Sequence, residues 1–355
     1  MAKGIMRDIF KRLPLMSMLK QFVSEMLHST KKDQLLILDR IYWNGKICCH
    51  NLFLVGANSK EPKELIIPRV TDSDMGFKVI GSCNGLVCVT HYSFDQNSCL
   101  FLWNPDTDQT RRINESSNAL LPYQVPPNCL LGFYFNHNVN DYEVVRLHSF
   151  EDTESECLDN SLGKTCAVRV EKYSLRSGLW REIECCGPLV TVDGILFWTE
   201  NFVSLKGTLF WIAMEVSEKV SHEMIISFNF NHNLIGKIEF PFSFKGCSEI
   251  YKKVAVFHDS VALLICSENK CMEQCLDLWV FHDNYDGVEC WTKIFTIEAL
   301  SSVERPIGIW INEILMSTGK VIHSGSRIIA LLQEDALGAG FSYNVFNYVE
   351  STSPL

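Results

Sequence analysis

Fifteen cysteines and ten histidines are the residues of this chain best suited to metal binding or nucleophilic chemistry, so their spacing is examined first. The tightest groups are Cys48-Cys49-His50, Cys185-Cys186 and the run from Cys266 through Cys271 to Cys275. None of them has the Cys-x2-Cys spacing typical of structural zinc sites. We therefore predict no metal and no cofactor, and we expect reduced, mostly buried thiols that act as small apolar residues.

Catalytic motifs are also missing from the sequence. It contains no Gly-x-Ser-x-Gly, no His-Glu-x-x-His, no phosphate loop and no dinucleotide fingerprint. His137 and His232 lie in the Asn-rich stretches 135–138 and 230–233, where a solvated turn is the expected role. We predict that the chain has no catalytic residues and is not an enzyme.

The charge balance limits the classes of partner. The chain has 42 Asp and Glu against 32 Lys and Arg, a net charge of −10, whereas phosphate binding needs a surplus of cations on one face. No apolar run approaches the roughly 20 residues of a membrane span. Basic residues scattered through positions 1–28 predict no signal peptide, and Asp8 and Glu25 disfavour a mitochondrial presequence. These features predict a cytoplasmic or nuclear protein that binds neither nucleic acid nor membrane, with a field that would attract a basic protein partner.

The first segment is the only stretch with a clear helical pattern. Its apolar residues recur mostly three or four positions apart with basic residues between them, and Pro14 divides it into two short helices. The apolar positions are Ile5, Met6, Ile9, Phe10, Leu13, Met16 and Leu19. We predict a helical domain at 1–30 and a second domain at 31–355.

From residue 35 onward the pattern changes to short strands. Runs rich in β-branched and aromatic residues alternate with turn residues, which is typical of an all-β protein. The clearest runs are 35–38, 86–89, 142–146, 209–212 and 261–265. The acidic run 151–156 falls between strands, and we expect a solvated loop there that a basic partner could meet.

A strand pair recurs at one spacing within this region. Each copy places an aromatic residue ten positions before an isoleucine, across a polar turn. The copies are Trp103 to Ile113, Tyr173 to Ile183 and Phe228 to Ile238, with a longer fourth copy from Trp279 to Ile294. A further strand precedes three of these copies at a steady offset. The unit is therefore a four-stranded meander of about 50 residues.

Such units favour a closed ring, because radial closure leaves few exposed sheet edges. A β-sandwich is the alternative, but it gives no reason for the ten-residue spacing. We predict an all-β, kelch-like propeller of about six blades, with a first unit near 35–68 and a last one near 306–350, preceded by the short helical segment. Five tryptophans are expected in its core rather than on a ligand platform: Trp103, Trp180, Trp211, Trp279 and Trp291.

A series of short motifs follows along the chain. They include 81–88 (GSCNGLVC), 102–105 (LWNP), 141–145 (DYEVV), 206–211 (KGTLFW) and 348–351 (YVES). From about residue 30 to 352 these motifs and their order resemble the plant F-box proteins that carry an F-box-associated domain, including S-locus F-box-like proteins. Residues 8–20 resemble the middle of an F-box, but the stretch that normally forms its next helix is missing, as is the usual opening. The resemblance thus indicates a partial F-box.

The resemblance implies a function without chemistry of its own. Such a protein is a substrate-recognition adaptor that presents a target protein to a Skp–cullin–F-box ubiquitin ligase. Ile9, Leu13, Pro14 and Leu19 would bind the Skp-type adaptor and, through it, cullin. If the chain belongs to the S-locus branch, the expected target is a basic ribonuclease. The alternative is a protein-binding propeller that no longer docks to the ligase, as a decoy or a decayed paralogue.

Overall fold

The computed structural model describes the chain from residue 35 to residue 351, with gaps. The described ranges are 35–43, 48–56, 63–68, 74–93, 99–114, 129–151, 165–186, 191–193, 195–216, 221–241, 249–268, 274–283, 289–300, 305–310, 313–317, 321–323, 327–329 and 341–351. Every regular element in these ranges is a β-strand, so the all-β prediction is confirmed. The helical segment predicted at 1–30 and the domain boundary lie outside the described residues and stay predictions.

The strands form six antiparallel sheets, which we call blades 1 to 6. Blade 1 contains β1 (Leu35–Trp43), β2 (Cys48–Gly56), β3 (Lys63–Leu65) and the last strand, β25 (Phe341–Tyr348). Blade 2 contains β4 (Asp74–Cys83), β5 (Leu86–Ser93), β6 (Cys99–Asn104) and β7 (Gln109–Ile113). Blade 3 contains β8 (Cys129–Asn136), β9 (Asp141–Glu151), β10 (Thr165–Ser174) and β11 (Leu179–Ile183), with the short β12 (Thr191–Asp193) added to β10.

The remaining three blades repeat the same plan. Blade 4 contains β13 (Ile195–Leu205), β14 (Thr208–Val216), β15 (Ser221–Asn229) and β16 (Leu234–Glu239). Blade 5 contains β17 (Glu249–Phe257), β18 (Ser260–Glu268), β19 (Gln274–Asp283) and β20 (Glu289–Leu300). Blade 6 contains β21 (Pro306–Trp310), β22 (Glu313–Met316), β23 (Val321–His323) and β24 (Arg327–Ile329).

The first strands of the blades close the sheets into a ring. In order around the ring these strands are β25, β4, β8, β13, β17 and β21; each contacts the next, and β21 contacts β25. Blade 1 joins the two ends of the ring, because β25 pairs along its whole length with β1. This arrangement is a β-propeller, as predicted.

The core lies between neighbouring blades rather than in one central cluster. In blade 3, Val144 packs with residues of blade 2, whereas the adjacent Val145 packs with residues of blade 4. The second strand of a blade is therefore buried on both faces, and no polar alternation is left in its sequence. This explains why the five clearest apolar runs all belong to second strands: β1, β5, β9, β14 and β18.

The recurring aromatic-to-isoleucine spacing marks the third and fourth strands. Trp103, Tyr173 and Phe228 lie on the third strands of blades 2, 3 and 4, and all three are buried. The expectation of a last unit at 306–350 is wrong, because β25 completes blade 1 instead of extending blade 6. A linear repeat does not reveal which end of the chain supplies the strand that closes the ring.

Candidate protein-interaction site

The two ends of the blades form different surfaces. Because successive strands alternate in direction, the hairpins from first to second strand and from third to fourth strand lie at one end, which we call the turn face. Its described turns are 84–85, 105–108, 137–140, 175–178, 206–207, 230–233 and 258–259. We call the opposite end the loop face; described strands end there before the sequence intervals 115–128, 152–164 and 330–340.

The short hairpins of the turn face have backbone angles that fit their residues. Asn84 and Gly85 have φ angles of 45° and 82°, and Lys206 and Gly207 have φ angles of 49° and 81°. Two positive φ angles in a two-residue loop form a type I′ turn, whose twist matches that of the strands it joins. Gly85 also has no room for a side chain, since a Cβ atom there would lie 2.1 Å from the Cβ atom of Ser351.

A second turn type connects third to fourth strands and repeats between blades. Asn104 Oδ1 and Asn229 Oδ1 each accept hydrogen bonds from the backbone N–H groups two and three residues later, at 2.9 to 3.2 Å. The last turn residue has a positive φ angle in three blades: Asp108, Gly178 and Asn233. Asx turns, and Gly, Asn or Asp residues with left-handed backbone angles, explain why polar residues recur between the aromatic residue and the isoleucine of each copy.

Hydrogen bonds join neighbouring blades across the turn face. The donors and acceptors are Tyr142 Oη to Asn84 O at 3.0 Å, Arg111 to Leu175 O at 2.9 Å, Asn138 Nδ2 to Asn231 Oδ1 at 2.8 Å, Lys172 Nζ to Phe230 O at 2.9 Å and Lys206 Nζ to Asp259 O at 3.0 Å. These donors and acceptors are already paired with a neighbouring blade. The turn face is thus fixed in shape, with many polar groups already satisfied.

The turn face also contains the contacts that hold the end of β25. The Tyr348 hydroxyl donates to Asp106 Oδ2 at 2.9 Å, and the Ser351 backbone N–H donates to the same oxygen at 2.8 Å. Asn104 Nδ2 donates to Ser351 O at 3.0 Å. We call Gly85, Asn104, Asp106, Tyr348 and Ser351 the closure site, because they fasten the end of the closing strand to blade 2.

The described chain begins at the closure site. Leu35, the first residue of β1, pairs with Tyr348, the last residue of β25. The segment before residue 35 therefore joins the propeller on the turn face, at the boundary of blades 1 and 2. The loop face lies at the far ends of the strands.

Charged side chains are buried inside the blades at points that the sequence analysis did not single out. The Asp39 carboxylate has no exposed surface and lies 2.9 Å from His50 Nδ1. In blade 3, Arg146 Nε donates to Glu171 Oε2 at 2.9 Å, and both side chains are buried. Burial lowers the pKa of Lys253 to about 8, and the Asp39 carboxylate opposes this shift. Charges inside an apolar run, Asp39 and Arg40 in 36–41 or Arg146 in 144–147, were the signal available in the sequence.

The described part of the chain offers neither a cluster of metal ligands nor a membrane-spanning helix. There, no group of three or more His, Cys, Asp or Glu is placed to hold a metal ion, and no helix is long and apolar enough to cross a membrane. His137 and His232 are exposed turn residues, as predicted. Eight cysteines in the described ranges have free thiols, and Cys88 and Cys266 are two of these that are buried.

Comparison with known proteins gives the family. The model of the F-box associated beta propeller domain matches residues 41–335. The chain belongs to this F-box-associated propeller family. Relatives in Arabidopsis thaliana include the F-box protein CPR1, at 24% identity over 84% of this chain and 73% of that protein. The putative F-box protein At3g17500 is 25% identical over 69% of this chain and 56% of that protein.

Solved structures add little to this assignment. Hydrazine synthase from Kuenenia stuttgartiensis has a TM-score of 0.45 and 8% identity, covering 95% of this chain and 49% of that one. Puromycin hydrolase has a TM-score of 0.42 and 9% identity, covering 72% of this chain and 39% of that one. At such scores the likeness carries no functional information.

Three of the motifs typical of F-box-associated propellers meet in one place. Residues 81–88 supply the type I′ turn, residues 102–105 supply the Asx turn, and residues 348–351 supply the strand end between them. These motifs build the closure site. The predicted adaptor-binding residues Ile9, Leu13, Pro14 and Leu19 lie outside the described residues, so their role stays a prediction.

We expect the substitution Tyr348→Phe to destabilise the propeller by about 1–2 kcal/mol at pH 7, because a hydrogen bond to a charged acceptor is lost. Burial and the bond to Asp106 raise the pKa of Tyr348. The folded chain therefore keeps this proton above pH 10, where the unfolded chain has released it, and stability falls as pH rises. Urea titrations between pH 7 and 11 should show a shallower alkaline loss in the variant. An equal loss in both proteins would contradict this role for Tyr348.

Proposed function

We propose that this F-box-associated propeller is the substrate-recognition adaptor of a Skp–cullin–F-box ubiquitin ligase in the cytoplasm or nucleus. The observation that carries the proposal is the family match over residues 41–335. The position of Leu35 on the turn face supports this proposal. A partial F-box before Leu35 would be attached to one side of the propeller ring. Ile9, Leu13, Pro14 and Leu19 would then contact the Skp-type adaptor.

The proposed mechanism needs no catalytic residue in this chain. A target held on the propeller has its lysines at high effective concentration beside the charged ubiquitin carrier, and separate enzymes perform the transfer. We assign the target to the loop face. The turn face has much of its hydrogen-bonding capacity used between blades, whereas the strand ends of the loop face lie away from the chain entry, and binding residues are often carried by the connections that follow such strand ends.

A second function is favoured by the shortened F-box motif. Because the stretch for one F-box helix is missing after Lys20, the propeller could bind a protein without docking to a ligase. In that case it would act as a decoy. The two functions differ in one measurable property, which is affinity for a Skp-type adaptor.

Adaptor binding can be tested with the purified full chain. We expect it to retain a plant Skp-type adaptor in a pull-down, and Leu13→Asp to reduce retention at least tenfold, since a charge enters the apolar contact. Ile66→Asp is the control, because Ile66 is 81% exposed on blade 1. If the native chain retains no adaptor but a variant with a complete F-box does, the decoy function is correct.

The identity of the target requires a separate experiment. The net charge of −10 suits a basic protein, and a basic ribonuclease is the target to test first if the chain is of the S-locus type. Proximity labelling in the tissue of expression, with and without proteasome inhibition, should enrich the target when degradation is blocked. A labelled set unchanged by the inhibitor would argue against a degradation role.

A further inference from the structure

Most of the large apolar side chains that are exposed in the described ranges lie on the turn face. Four of the six do so: Val139, Leu179, Leu234 and Val349. The first three belong to blades 3 and 4 and are 48%, 58% and 47% exposed. Single exposed apolar residues need no explanation, whereas a group of them at one place indicates a binding surface.

A hydrogen bond brings two of these residues together within blade 3. The Arg176 guanidinium donates to Asn140 O at 2.7 Å. Asn140 directly follows Val139, and Arg176 lies in the turn that ends just before Leu179. The two turns of blade 3 are therefore in contact, and each has one of the exposed aliphatic residues in it or directly after it.

A second hydrogen bond extends this group to blade 4. Asn138 Nδ2 donates to Asn231 Oδ1 at 2.8 Å, and Asn231 lies in the turn that ends just before Leu234. We call Val139, Leu179 and Leu234 the aliphatic surface. The two amides beside it are already paired with each other, so a partner that covers them sacrifices few hydrogen bonds to water.

The turns around the aliphatic surface carry positive charge. They contain Arg176 and Lys206 but no Asp or Glu, in a chain of net charge −10. The turn with Lys206 belongs to this group, because Phe230 N donates to Gly207 O at 3.1 Å. The turns are 137–140, 175–178, 206–207 and 230–233. A complementary partner surface has apolar side chains flanked by carboxylates.

The predicted adaptor-binding stretch is tethered to the same face. The chain joins the propeller on the turn face at Leu35, and Leu19 lies 16 positions earlier (35 − 19). A chain of that length spans at most about 55 Å, whereas the boundary of blades 3 and 4 is two blade spacings, or about 20 Å, from that of blades 1 and 2. An adaptor bound at Leu19 therefore stays within reach of the aliphatic surface.

We propose that the aliphatic surface is a second contact for the Skp-type adaptor, an inference that rests on the proposed function. The F-box resemblance is interrupted after Lys20, where the stretch for one helix is missing. The propeller then supplies part of the contact that this stretch would make. A weak second contact is sufficient, because the tethered adaptor has a high effective concentration at the turn face.

A binding titration of the purified full chain against a purified plant Skp-type adaptor tests this contact. We expect Leu179→Asp/Leu234→Asp to weaken binding at least tenfold, because two charges enter an apolar contact. The matched control is Ile66→Asp/Ile294→Asp, since these side chains are 81% and 43% exposed outside the turns of blades 3 and 4. The control should bind like the native chain. Equal urea midpoints would show that both variants fold normally.

Photo-cross-linking gives a readout that altered stability would not produce. With benzoylphenylalanine at position 179 we expect links to the adaptor, and with the same group at position 294 we expect none. Links from position 179 to a second copy of this chain, or to its own residues 1–34, would overturn the proposal.

The titration separates this contact from the proposed function. If Leu13→Asp abolishes adaptor binding and Leu179→Asp/Leu234→Asp leaves it unchanged, the proposed function stands and the second contact is wrong. If the native chain binds no adaptor, both are wrong.

Discussion

Deleting residues 341–355 should abolish the cooperative unfolding transition of this protein. The deletion removes β25, which pairs with β1 over eight residue pairs and contacts both β4 and β21. Ile37 is fully buried in the intact ring and would lose its cover. Since a domain is stable by only about 5–15 kcal/mol, we expect an opened ring to aggregate or to unfold without a defined midpoint.

A shorter deletion provides the control for this result. Removing residues 352–355 leaves β25 and the closure site intact, so its urea midpoint should match that of the full chain. Adding a peptide of residues 341–351 to the longer deletion should restore part of the transition by strand addition. A cooperative transition at the native midpoint in the longer deletion would contradict closure by β25.

The substitution Glu171→Ala should cost about 3–5 kcal/mol, because it leaves a buried guanidinium without its carboxylate. Arg146 and Glu171 are 9% and 5% exposed. The Arg146 guanidinium also lies 4.7 Å from the centre of the Trp180 ring, and His148 Nε2 lies 3.6 Å from Glu171 Oε2. These residues all belong to blade 3, and Trp180 Nε1 also donates to Asn114 O, just after the last strand of blade 2, at 2.7 Å. Chemical denaturation of the purified variant gives the change in unfolding free energy.

A double substitution separates the ion pair from its surroundings. Arg146→Met/Glu171→Leu removes both charges and keeps similar volume, so it should recover most of the loss and can equal the native stability. His148→Ala alone should cost less than 1 kcal/mol, since this side chain is 29% exposed. If Glu171→Ala and the double variant lose equal stability, the burial of an unpaired charge is not the cause.

The strand content of this fold was predictable because the blades repeat. Trp103, Tyr173 and Phe228 are third-strand residues in three blades, and all three are buried. A position between two packed sheets favours a large aromatic side chain each time. The pairing of β25 with blade 1 was not predictable, since β25 follows blade 6 directly in sequence and lies far from β1 along the chain. Only three-dimensional pairing with Leu35 identifies their partner.

The candidate site was predictable to a smaller degree. Family-like motifs at 81–88, 102–105 and 348–351 stand far apart in sequence, and nothing in any one of them shows that Asp106 binds Tyr348. Buried charges such as Arg146 do not follow from the apolar pattern around them, because that pattern predicts burial of the strand and not the position of a buried ion pair.

Amide hydrogen exchange of the unmodified full chain tests the central claim most directly. The claim is that the C-terminal strand closes a six-sheet ring beside the point where the N-terminal segment joins it. We predict that amides of residues 341–348 exchange as slowly as those of β1 and become exposed only with global unfolding. Exchange of 341–348 within seconds, while the other strands stay protected, would contradict it.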